Sequence, residues 1–155
     1  MRRLVLILAL LSAPPALAEG LRVDPAVVQD CYRSAAAGED APRCLGAASN
    51  ACQALPGGAT TVGIAECIGD ETAVWDRQLN RAYKALQTRY KARGDGLSKA
   101  LRDAQRAWIT FRDAQCRLDY QRWAGGTIRT IVAANCQLTM TAGRALALRD
   151  MGETP

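Results

Sequence analysis

Three carboxylates, Glu66, Glu71 and Asp76, lie close enough along the chain to suggest an acid and base pair. Glycoside hydrolysis by such a pair needs two carboxyls about 5 to 9.5 Å apart, facing a sugar-sized cleft. The sequence contains no histidine, so the usual proton-transfer residue near neutral pH is absent. A serine nucleophile would lack its base, and there is no glycine-rich phosphate loop. The residues therefore read as non-catalytic, with no cofactor.

The six cysteines are Cys31, Cys44, Cys52, Cys67, Cys116 and Cys136. None forms a closely spaced knuckle, and without histidine no mixed zinc site or haem attachment is available, so no metal is expected. Their even number suits disulfides in an oxidising compartment. Taken in order, each pair straddles a glycine-containing break: Gly38, then Gly57-Gly58, then Gly125-Gly126. A disulfide that staples two antiparallel segments across their turn is placed this way. The expected map is Cys31–Cys44, Cys52–Cys67 and Cys116–Cys136.

Helical periodicity must position these groups. A light N-terminal hairpin is predicted, with helices near Pro25 to Ala37 and Ala41 to Cys52. A long helix follows from about Thr61 to Arg93, with an inner stripe of Ile64, Cys67/Ile68, Thr72, Trp75, Leu79, Ala82/Tyr83 and Leu86. Gly94-Asp95-Gly96 ends it. A second long helix runs from about Leu97 to Trp123, with Leu101, Ala104/Gln105, Trp108, Phe111/Arg112, Gln115 and Leu118 inward. Thr127 is expected to cap a third, to about Arg149, with Ile128, Ile131, Asn135, Leu138, Ala142 and Ala145/Leu146 inward. No stretch alternates like a strand. The fold class is all-α: a disulfide-braced three-helix bundle with a short N-terminal helical hairpin.

A hairpin turning near Asp95 sets Arg112 level with Asp76 and Asn80, one helical turn apart on the facing helix. An arginine on an apolar stripe needs an acceptor. Asp76 is the expected partner, with Asn80 and Gln105 as hydrogen-bonding neighbours, giving a structural polar cluster that fixes register. A different group, Arg122, Trp123, Gly125, Gly126 and Thr127, forms a hairpin end. Arg and Trp in rigid surroundings are favoured binding hot spots, so this end is the expected partner-binding surface, the alternative being that Trp123 only closes the end of the core.

The first residues read as an export signal: Arg2-Arg3, an apolar run from Leu4 to Leu11, and Ala16-Leu17-Ala18 as a cleavage site. Cleavage after Ala18 and a periplasmic or secreted location are expected. No later segment is long and apolar enough to span a bilayer. Residues 19–60 carry three Arg against five acidic side chains, and residues 61–155 carry 15 Lys or Arg against 10. The basic bundle suits an anionic envelope surface, and its modest charge does not suggest nucleic acid.

Thr60-Thr61, Glu66-Cys67, Trp75-Asp76-Arg77-Gln78-Leu79-Asn80 and Tyr83 resemble the opening of the LprI-like lysozyme-inhibitor domain. The likeness continues through Ala104-Gln105-Arg106-Ala107-Trp108-Ile109-Thr110-Phe111-Arg112-Asp113-Ala114-Gln115-Cys116. Gly125-Gly126-Thr127, Cys136, Thr139 and Arg144 complete it. It covers roughly Cys52 to Leu148. The organisation is then signal peptide 1–18, hairpin extension 19–51, LprI-like helical domain 52–150 and tail 151–155. The resemblance implies a helical, non-catalytic inhibitor that occludes the cleft of a lysozyme or another muramidase. The alternative is an envelope interaction or structural module with no lysozyme contact.

Overall fold

A computed structural model describes residues 20–94 and 96–153. The leader, its cleavage point after Ala18, Asp95 and the end of the tail lie outside the described residues. The order is α1 (Pro25–Ser34), α2 (Ala47–Gln53), α3 (Thr61–Arg93), α4 (Leu97–Arg122) and α5 (Ile128–Glu153). The architecture is all-α, as expected, with no strand among the described residues.

The ends of α3 follow from local chemistry. Thr60 Oγ1 accepts the Gly63 N–H at 3.0 Å, which satisfies one orphan donor of the first turn. At the other end Gly94 adopts φ 70° as the C-cap. The α3–α4 turn is held by Gln87, which donates to the Ser98 carbonyl at 3.0 Å and accepts from the Ser98 hydroxyl at 2.6 Å.

All three expected disulfides close: Cys31–Cys44, Cys52–Cys67 and Cys116–Cys136. They join α1 to the loop before α2, α2 to α3, and α4 to α5. In the chain-entropy model each loop of this length contributes about 3 kcal/mol.

The N-terminal segment differs in detail from the predicted hairpin. Helix α1 stops at Ser34, and α2 starts only at Ala47. Between them Leu45 and Ala47 donate to the carbonyls of Pro42 and Cys44, so Cys44 sits in a chain of turns rather than on a helix. Proline at position 42 and Gly46 at φ 88° explain the late start. The segment is also more deeply embedded than its light composition suggests. Val23, Val28, Cys31, Ala48 and Cys52 belong to the same core as Ile68, Val74, Trp75, Leu79 and Leu146. Tyr32 meets fully buried Trp75 edge-on, with ring centroids 6.1 Å apart.

Close backbone approach locks the α2–α3 turn. A Cβ at Gly63 would lie 2.2 Å from the Gly57 carbonyl oxygen, and one at Gly58 would lie 2.6 Å from that of Cys52. Only glycine fits at either position.

Two stripes need correction. On α4, Phe111 is 59% and Leu118 51% exposed, while Leu101, Gln105 and Cys116 are buried. The disulfide explains this: Cys116 must face α5, and at roughly 100° per residue Leu118 is swung to the far side. On α5, Ile128 and Asn135 are exposed, whereas Thr141 and Leu148 join Leu138, Ala142, Ala145 and Leu146 in the interior.

Candidate functional site

The α3–α4 hairpin has the register that the sequence suggested. Asp76, Asn80, Gln105 and Arg112 line one cleft of about 300 Å³, together with Leu79, Tyr83, Arg102, Arg106, Trp108 and Ile109. The ion pair expected across it does not form. Arg112 instead grips its neighbour Asp113, with Nε 2.9 Å and Nη2 2.9 Å from Oδ1. Its guanidinium also lies over the Trp108 ring, 5.0 Å from the centroid. Asp76 accepts from the Asn80 amide at 2.8 Å. Gln105 accepts from Arg144 Nε at 2.9 Å.

The reason is local. Arg112 has a carboxylate next to it in sequence, and Asp76 has an amide one turn along its own helix. Each group is satisfied without closing the gap between helices. Arg112 keeps 18% of its side chain accessible, so it is a wall of the cleft rather than a buried ion. Arg144 is drawn in deeper from α5, and burial pushes its guanidinium pKa down. Arg102 and Arg106 were not singled out from the sequence. Their i, i+4 spacing on α4, next to the Gln105–Arg112 face, was the available signal.

The α4–α5 end is built differently. Trp123 is the C-cap of α4, at φ −103°, and its side chain is 48% exposed, so it does not close the core. Gly126 donates back to the Trp123 carbonyl at 3.3 Å, and Gly125 adopts φ 93° to make that turn. Thr127 precedes α5, and its carbonyl accepts from both the N–H and the hydroxyl of Thr130. Arg122 is exposed and pairs with Asp119 at 3.4 Å. One and a half to two turns below, Cys116–Cys136 joins the two helices. Leu118 and Ile128, both read as inward-facing from periodicity, are exposed here as well.

Val62 and Leu55 extend this apolar character. Helices α3 and α5 run side by side, with Leu86 3.9 Å from the position of a Cβ on Gly152. Counting back the same number of residues along both puts Val62 level with Ile128. Exposed Leu55, Val62, Leu118, Trp123 and Ile128 thus share one end of the bundle.

The three carboxylates considered for acid–base work take separate roles. Glu71 is 1% exposed and accepts from Gly46 N–H at 2.9 Å, Ser49 N–H at 2.7 Å and Trp75 Nε1 at 3.2 Å. It is an N-terminal cap for α2, supplied from α3. Glu66 is exposed, and Asp76 stands in the α3–α4 cleft. No motif signals the Glu71 role, which depends on backbone groups more than twenty residues away. Among the described residues no group of three or more His, Cys, Asp or Glu could hold a metal ion, and no helix is long and apolar enough to cross a membrane.

Residues 52–148 match the family described as lysozyme inhibitor LprI. An uncharacterized protein of Rhizobium meliloti strain 1021 is 32% identical over 98 residues, covering 57% of this chain and 70% of its own length. An uncharacterized 17.7 kDa protein from the puhA 5′ region of Rhodobacter capsulatus is 28% identical over 130 residues, covering 77% of this chain and 80% of its own. No solved structure matches. The matched region runs from α2 through α5, and it includes both the polar cleft and the tryptophan-bearing end. With its three disulfides, which suit a location outside the cytoplasm, the chain belongs to the lysozyme inhibitor LprI family.

Proposed function

We propose that this protein is an exported, non-catalytic inhibitor that docks on a muramidase through its α4–α5 end and blocks the enzyme's cleft sterically. The observation that carries this reading is the exposure of Trp123 on a rigid turn. Its 48% accessibility leaves a large aromatic surface free, with Arg122 beside it and exposed Leu118 and Ile128 nearby. A large aromatic beside an arginine in rigid surroundings has the character of a binding hot spot. The Cys116–Cys136 brace lowers the ordering cost of association, because the two helices presenting the turn cannot splay. A muramidase cleft is lined by the two carboxylates of glycoside hydrolysis. Arg122, exposed and in a long 3.4 Å pair with Asp119, can reorient towards them.

The test is Trp123→Ala in the full chain, assayed for muramidase inhibition and for stability. Affinity should fall by about 1 kcal/mol or more, roughly fivefold in Kd. Unfolding free energy should stay within about 0.5 kcal/mol of the parent. Unchanged inhibition by this variant would place the contact elsewhere. Absence of inhibition by the parent, against both animal and bacterial muramidases, would point instead to an envelope module.

A further inference from the structure

The α3–α4 cleft holds opposite charges that do not neutralise one another. Its α3 wall presents Asp76 with Asn80, and its α4 wall presents Arg102, Arg106 and Arg112. Arg112 is already committed to Asp113. Arg102 and Arg106 make no ion pair among the described residues, and the Asp76 side chain accepts from the neutral Asn80 amide. No ion pair bridges the two walls among the described residues, although both signs line the same space.

This arrangement selects for ligand charge. A simple anion would meet Arg102 and Arg106 but would be opposed by Asp76. A simple cation would meet Asp76 but would be opposed by the arginines. A ligand with both an ammonium and a carboxylate complements both walls. Guanidinium forks suit a carboxylate through paired hydrogen bonds. An ammonium donor suits the carboxylate of Asp76 and the amide oxygen of Asn80. At about 300 Å³ the space lies at the small end of ligand clefts, a size for an amino acid or a short peptide rather than an oligosaccharide. Leu79, Tyr83 and Ile109 supply apolar lining between the two charged ends.

We propose that the α3–α4 cleft is a binding site for a small zwitterion, a free amino acid or a short peptide with both termini free. Its carboxylate sits on Arg102 and Arg106, and its ammonium on Asp76 and Asn80. The site lies on a different surface from the Trp123 turn and does not depend on it.

NMR titration of the full chain tests this with D-alanyl-D-alanine, its N-acetyl derivative, its C-terminal amide, free D-alanine and phosphoethanolamine. The dipeptide should shift amide signals in residues 76–83 and 102–112, and each blocked form should bind about tenfold more weakly. In Asp76→Asn the dipeptide and its N-acetyl derivative should become equivalent. In the double variant Arg102→Gln, Arg106→Gln the dipeptide and its amide should become equivalent. All these side chains are accessible enough to change without unfolding the bundle, which the unperturbed remainder of each spectrum verifies. Preference for the dipeptide over free D-alanine assigns the site to a short peptide with both termini free, and the reverse assigns it to a free amino acid. No shifts at millimolar dipeptide, equal binding of the blocked forms, or tighter binding of phosphoethanolamine would overturn the proposal.

Discussion

Replacing Glu71 by glutamine should destabilise the protein more than any change at Glu66 or Asp76. Glu71 is 1% exposed, and its two oxygens serve three donors: Gly46 N–H, Ser49 N–H and Trp75 Nε1–H. Neither oxygen can stand in for the other, because Oε2 alone receives Ser49 at 2.7 Å while Oε1 receives the other two. In the better of its two orientations, glutamine keeps Oε1 and turns its NH2 group against the Ser49 N–H. One charge-assisted bond is lost, and a buried donor is left facing another donor. The expected cost is about 2 to 4 kcal/mol. Alanine would strand all three donors and cost at least about 4 kcal/mol. A domain of this size is stable by about 5 to 15 kcal/mol in total, so either change is large.

The assay is urea unfolding under non-reducing conditions, paired with amide hydrogen exchange at Gly46 and Ser49. Cys31–Cys44 and Cys52–Cys67 tie the chain on both sides of α2, so the first consequence should be local opening of the α2 N-terminus. A Glu71→Gln variant within about 0.5 kcal/mol of the parent, with protection at Ser49 unchanged, would refute the cap.

Two further changes test other joints of the fold. Gly63→Ala should cost at least about 2 kcal/mol and loosen the α2–α3 turn, because its Cβ would fall 2.2 Å from the Gly57 carbonyl oxygen; a thermal melt equal to the parent's would contradict this. Burial alone would push the Asp150 carboxyl pKa up, but the Gly38 N–H and the Arg149 guanidinium outweigh it and hold the carboxyl below its usual range. A depressed folded pKa adds stability that is complete above the unfolded value of about 3.9 and is lost as pH falls through the lower folded value. Asp150→Asn should therefore flatten that part of the acid-unfolding curve, and an unchanged acid limb would exclude the tether.

Helix α3 was readable to its ends because Thr60 and Gly94 are strong local signals and its apolar stripe is long. The disulfide map was readable because each pair of cysteines straddles a glycine-containing break, with Cys116 and Cys136 equidistant from Gly126. Side-chain pairing was less accessible. Periodicity correctly set Arg112 and Asp76 at one cleft, but it does not distinguish an acceptor across the cleft from one at the next residue. On α4 two adjacent stripes competed, and the geometry of Cys116 rather than hydrophobicity decided between them. The Glu71 cap and the late start of α2 were hidden for a shared reason. Both depend on how a glycine- and proline-punctuated loop lies against α3, and no periodic pattern encodes that.

The placement of both proposed surfaces follows from how α4 is held. Of its side chains, Leu101 and Cys116 are the buried apolar ones, and between them the inner face is Gln105, Trp108 and Arg112. A helix with so polar a middle cannot rely on apolar burial to stay docked. It is fixed at its ends instead, by the Gln87–Ser98 hydrogen bonds at the α3 turn and by Cys116–Cys136 near the α5 turn. Anchoring at the ends lets the middle remain an open, charged cleft, with Arg112 and Asp76 each satisfied on its own helix rather than across the gap. The same covalent anchor lets the chain beyond it carry an exposed tryptophan without loosening the bundle. On the opposite side of α3 the polar groups do the reverse. Asp70 accepts the Val23 N–H at 2.8 Å and Glu71 caps α2, so the carboxylates there are consumed in holding the N-terminal segment down. Both proposed surfaces thus fall on α4 and its turn, where polar groups and aromatic surface have capacity to spare.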